Sequence, residues 1–126
     1  MNQEMYDKGL KIRRATLGNA YVDETLKNVN AFTKELQEYV TTYCWGEIWG
    51  REGLDRKTRS IINLAMISAL NRPHELALHV RGALNNGVKR EEIKEVFLQV
   101  GAYAGAPAMI DSFRVAQAVF KDVEGA

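Results

Sequence analysis

Apolar residues recur along this chain at spacings of three and four, and no stretch shows convincing two-residue alternation. That periodicity places side chains on one face of a helix rather than one face of a strand. Residues 3–17 carry Met5, Leu10, Ile12, Ala15 and Leu17 among charges, and Gly18-Asn19 ends the segment. Asp23 is the expected N-cap of a second helix, whose apolar stripe runs through Leu26, Val29, Phe32, Leu36 and Tyr39-Val40. Both tryptophans then fall in Tyr43-Cys44-Trp45-Gly46-Glu47-Ile48-Trp49-Gly50, and Gly50 to Gly53 reads as a turn. A third helix, capped by Asp55, is expected from Arg56 to about Leu70. It is apolar around nearly its whole circumference, the mark of a central helix.

Pro73 opens a fourth helix, because the first turn has no use for the N–H that proline lacks. Asn85-Asn86-Gly87 closes it with residues that tolerate left-handed backbone. A fifth helix spans Arg90 to about Tyr103 with its acidic residues early, and Gly105 stops it. Pro107 starts a sixth. The expectation is an all-α single domain over residues 1–126, with about six helices and short antiparallel connections.

Composition narrows the function classes. The chain has 126 residues, long enough for a hydrophobic core without staples, and a formal net charge of +1. Basic and acidic residues are interleaved, which argues against an electrostatic nucleic-acid binder. No apolar run is long enough for a signal peptide or a membrane span, so no membrane partner and a cytoplasmic location are expected. The single cysteine, Cys44, excludes an internal disulfide and a cysteine-based metal cluster.

The segment Arg72-Pro73-His74-Glu75-Leu76-Ala77-Leu78-His79-Val80-Arg81 holds both histidines. Glu75 and His79 are four residues apart, on one helix face. A carboxylate beside an imidazole can hold one ring nitrogen and leave the other to move protons. The same spacing also describes an ordinary surface ion pair. Arg72 and Arg81 suit a carboxylate ligand through paired hydrogen bonds, or are surface arginines. His74 is a neutral hydrogen-bond donor or a solvated first-turn residue. Trp45 and Trp49 belong to a core or subunit contact, or wall off a small pocket from water. The histidines are five apart, which is not the spacing that sets two imidazoles on one metal ion.

A set of segments covering nearly the whole chain resembles the carboxymuconolactone decarboxylase family, in its branch acting on 4-carboxymuconolactone. They include Gly9-Leu10-Lys11-Ile12-Arg13-Arg14, Tyr43-Cys44-Trp45-Gly46-Glu47-Ile48-Trp49, Gly53-Leu54-Asp55-Arg56-Lys57-Thr58-Arg59-Ser60, Arg72-Pro73-His74-Glu75-Leu76 and His79-Val80-Arg81-Gly82-Ala83-Leu84-Asn85-Asn86-Gly87-Val88. The wider alkylhydroperoxidase D-like superfamily carries a Cys-x-x-Cys pair four residues before a histidine. Those cysteine positions fall here on Arg72 and Glu75, and the upstream acidic position on Ser60. Only His79 survives, which puts peroxide reduction out of reach.

The resemblance implies an alkylhydroperoxidase D-like helical bundle, a homo-oligomer (commonly a hexamer), no organic or metal cofactor, and a small lactone carboxylate as substrate. It implies His79 and Glu75 as the catalytic pair, with Arg72, His74, Arg81, Trp45 and Trp49 around the substrate. The rival expectations are a decarboxylase of a different unsaturated lactone acid, a peroxidase relative, and a non-catalytic member that kept only the fold.

Overall fold

The structure is a computed structural model that describes residues 1–124. It is all-α among the described residues: seven α-helices and one π-helix, in two compact units, Met1–Asp55 and Arg56–Ala126.

The first unit comprises α1 (Gln3–Leu17), α2 (Asn19–Lys27), α3 (Lys34–Tyr39) and a π-helix (Val40–Ile48). Asn2 caps α1 by accepting the Met5 N–H at 3.0 Å. Helix α2 begins at once after Gly18, so Asp23 is an interior residue rather than a cap. Its carboxylate instead pairs with Arg14 across the turn at 2.7 Å. The long second helix expected from the apolar stripe is broken after Lys27. The reason lies in Asn30, whose side chain accepts the N–H groups of Phe32 and Thr33 at 2.9 and 3.1 Å and so offers the backbone an alternative to helical bonding. Phe32 consequently stands 93% exposed and does not join a core stripe.

Helix α1 packs along the π-helix. The approach is close enough that a Cβ at Gly9 would collide with the Thr41 carbonyl oxygen, so only glycine fits. Ile12, Trp45 and Trp49 form the core of this unit.

The second unit comprises α4 (Arg56–Ala69), α5 (Pro73–Asn85), α6 (Arg90–Ala104) and α7 (Ala106–Glu124). Helix α5 packs against α4 and α7, and α6 against the same two. Leu64, Leu76, Val80, Ala83, Ile93, Phe97, Ala116 and Val119 meet in one core. Helix α4 is not enclosed as its composition suggests. Its buried stripe is Ser60, Leu64 and Ser68, whereas Ile62, Met66 and Leu70 are exposed. The two buried serines are satisfied: Ser60 by Asn86, and Ser68 by Ser112, which itself donates to the Ala108 carbonyl and so receives the Ser68 hydroxyl proton.

Two tight turns fix the ends of α5. Before it, Asn71 takes a left-handed conformation at φ 57°. The N–H groups of Arg72 and Asn71 then reach back to the carbonyls of Ile67 and Ser68 at 3.2 and 3.0 Å, a complete Schellman motif. After it, Gly87 at φ 90° repeats the motif, with Val88 and Gly87 bonded to Ala83 and Leu84 at 2.9 and 3.1 Å.

Candidate active site

Helix α5 sorts the expected site residues by rotation. Successive residues advance by about 100°. Leu76, Val80 and Ala83 form the buried stripe, and Gly82 is buried roughly 60° round the axis on the other side of His79. Glu75 and His79 lie beside that stripe on one side, within roughly 40° of each other, and Arg72 leads into the same face. His74 and Arg81 lie roughly 140–160° round the axis from His79. The segment that reads as one cluster in sequence is therefore two faces of a helix.

The two faces have different settings. Arg81 is ion-paired to Asp122 on α7. His74 is exposed in the first turn. On the other face, Glu75 is also exposed in the first turn, while His79 is partly buried one turn later. Burial disfavours the charged imidazole and pulls its pKa down from 6.5 to about 4. His79 is therefore neutral at pH 7, with one ring nitrogen a donor and the other an acceptor. Arg72 caps the preceding turn by donating from Nη1 to the Leu70 carbonyl at 3.0 Å, which holds its guanidinium at the entrance to α5.

Trp45 and Trp49 stack on each other with ring centroids 4.8 Å apart and are buried beside Ile12. They belong to the core of the first unit. Cys44 is partly buried, and that burial raises its thiol pKa despite the opposing charge of Arg13. Among the described residues, no three His, Cys, Asp or Glu side chains converge as a metal site.

An apolar cavity of about 650 Å³ runs between α4 and α6, lined by Ile61, Met66, Val96, Val100 and Tyr103 among others. None of the expected site residues lines it. Sequence reasoning also missed the pairing of Ser60 with Asn86, in which Asn86 Nδ2 donates to Ser60 Oγ at 3.0 Å. The available signal was weak: Asn86 falls seven residues, two turns, after His79 on the same face.

Residues 34–118 match the sequence model of the carboxymuconolactone decarboxylase family. The chain belongs to this family. The matched span contains Arg72, Glu75 and His79, the residues that share one face of α5. Among curated proteins, the chain is 42% identical to a 4-carboxymuconolactone decarboxylase of Acinetobacter baylyi, over 98% of this chain and 92% of that one. It is 41% identical to a nitrosuccinic acid decarboxylase of Metarhizium robertsii, over 98% of this chain and 86% of that one. A 4-carboxymuconolactone decarboxylase of Pseudomonas putida matches over a shorter stretch, 42% identical across 36% of this chain and 94% of its own length. This carboxymuconolactone decarboxylase family member has no helix, among the described residues, long and apolar enough to cross a membrane.

Proposed function

We propose that this chain is a carboxy-lyase that converts 4-carboxymuconolactone to the enol-lactone of 3-oxoadipate and carbon dioxide, without a cofactor. The observation that carries the reading is the 42% identity to a 4-carboxymuconolactone decarboxylase across almost the full length of both chains. The setting would be the β-ketoadipate route of aromatic (protocatechuate) catabolism in the cytoplasm. The chain would work as a homo-oligomer, with a hexamer the expected form. The uncovered apolar residues Ile62 and Met66 on α4, and Leu70 just after it, support self-association.

The chemistry needs little from the protein because the substrate holds its own electron sink. The bond between the ring carbon and the carboxylate breaks, and carbon dioxide leaves. The electron pair moves through the ring double bond onto the lactone carbonyl oxygen. Protonation at the carbon next to that carbonyl completes the reaction. The protein must anchor the remaining carboxylate, stabilise the developing oxyanion and deliver one proton.

A resting neutral imidazole suits the second task, since His79 can present an N–H to the oxygen without already being charged. A substrate dianion beside the ring favours its protonated form, which recovers a proton for carbon. Glu75 is the acidic partner on the same face. Arg72 is the preferred anchor, because Arg81 is engaged by Asp122 and His74 lies on the other face with it.

The test uses metal-free protein and the lactone, following its conjugated absorbance together with gas release. His79→Ala and Glu75→Gln should fold and assemble as the parent does and lose most carbon dioxide release. Parent-rate turnover by both variants would overturn the assignment.

A second reading rests on the nitrosuccinic acid decarboxylase, which matches the chain over the same 98%. A nitro group beside a carboxylate accepts the released pair just as a conjugated lactone does. Offering both acids to the same preparation decides between them by their relative kcat/KM.

A further inference from the structure

We propose that Ser60 and Asn86 form a clasp between α4 and α5 that sets the roll of α5, and so the direction in which His79 presents its ring. The proposal rests on the decarboxylase reading of that face for its catalytic consequence, though not for its structural one.

The argument starts from what else holds α5. The turns at Asn71 and Gly87 fix where the helix begins and ends, through backbone bonds at its two termini. Leu76, Val80 and Ala83 fix its roll coarsely, because apolar packing is non-directional, and the Arg81–Asp122 ion pair to α7 restrains the face away from His79. His79 is partly exposed between that stripe and the buried Gly82, where a small roll changes how far its side chain reaches solvent. A directional restraint on the His79 side of the helix steadies the ring further.

Asn86 supplies it. Its position is within roughly 20° of His79 around the helix. Its Nδ2 donates to Ser60 Oγ at 3.0 Å, and Ser60 is 1% exposed on the first turn and a half of α4. A hydrogen bond to a buried partner is both directional and costly to break. Reacting groups must be held within about 0.5 Å and 10–20° of productive geometry, and a misplacement of about 1 Å can cost on the order of a hundredfold in rate. Ser60 and Asn86 are on this view positioning residues. They need not touch the substrate.

The experiment compares Ser60→Ala and Asn86→Ala with the parent, and Ser60→Thr as the variant that keeps the hydroxyl. Two readouts are taken on the full chain. The first is kcat and KM for the lactone across pH. The second is the imidazole nitrogen signals of ligand-free protein, assigned simply because the chain has two histidines and His74→Gln leaves one. Both alanine variants should lower kcat about tenfold or more with KM within twofold. Both should move the His79 signals and their titration midpoint, and Ser60→Thr should restore them. Should the alanine variants keep parent kcat and parent imidazole signals, the clasp is refuted. It is refuted equally by a loss of activity that only follows a lower Tm while the His79 signals stay put. Moved signals in a protein that releases no carbon dioxide would uphold the clasp and remove the decarboxylase reading instead.

Discussion

The buried imidazole makes a stability prediction that is independent of substrate. His79 ionises at about 4 in the folded chain and at 6.5 when solvated. Above pH 6.5 both states hold a neutral ring, and the group contributes no pH dependence. As pH falls from 6.5 to 4 the unfolded chain takes up a proton that the folded chain refuses. Stability therefore declines across that window and levels off below it. A gap of this size corresponds to about 3 kcal/mol. Carboxylates titrate in part of the same range, but they cancel when parent and variant are compared. His79→Gln keeps a polar side chain and cannot ionise. Urea denaturation at pH 7 and pH 4, at one protein concentration, gives the loss of stability for each protein. The variant should lose about 3 kcal/mol less than the parent between the two pH values, with His74→Gln as the control for removing an imidazole as such. Equal losses in parent and His79→Gln would show that the ring is solvated, and would remove the basis for a neutral His79 at the site.

Three further outcomes follow from the packing. Gly9→Ala places a methyl against the Thr41 backbone, which cannot yield as a side chain would, so unfolding should become easier by about 1–3 kcal/mol and Tm should fall; an unchanged Tm would mean that α1 and the π-helix do not approach so closely. Asn71→Val puts a β-branched residue at φ 57° and should cost on the order of 1–2 kcal/mol in chemical denaturation, whereas Asn71→Gly should be tolerated. Arg81→Ala removes a partly exposed ion pair and should cost no more than about 1 kcal/mol while leaving kcat/KM for the lactone unchanged, but Arg72→Ala should raise KM; the reverse pattern would exchange the two faces of α5.

Much of this fold was legible because its signals were local. Helices α4, α5 and α6 begin and end within a residue or two of where Arg56, Pro73, Asn86-Gly87, Arg90 and Gly105 put them. Those residues act through their own backbone, so no knowledge of distant packing is needed. The reading failed where a side chain competes with the helix it sits in. Asn30 diverts the chain after α2, and its spacing in the sequence gives no hint that Phe32 will be left outside. The π-helix was equally hidden, because nine residues span too few turns for a change from i→i+4 to i→i+5 bonding to show in the apolar pattern.

The site shows the same division in sharper form. Sequence proximity gathered His74, Glu75, His79, Arg72 and Arg81 into one group, and the helix then separated them by rotation alone. What rotation could not reveal was engagement. Asp122, 41 residues beyond Arg81, takes that guanidinium, and Ser60, 26 residues before Asn86, takes that amide. A cation already bound by a carboxylate must give up that partner to hold a substrate, whereas Arg72 need only release a backbone carbonyl. The difference favours Arg72 over Arg81 as anchor even before their faces are considered. On the proposed reading the reaction belongs to one edge of α5, where a guanidinium, a carboxylate and a neutral imidazole follow one another at intervals of about a turn.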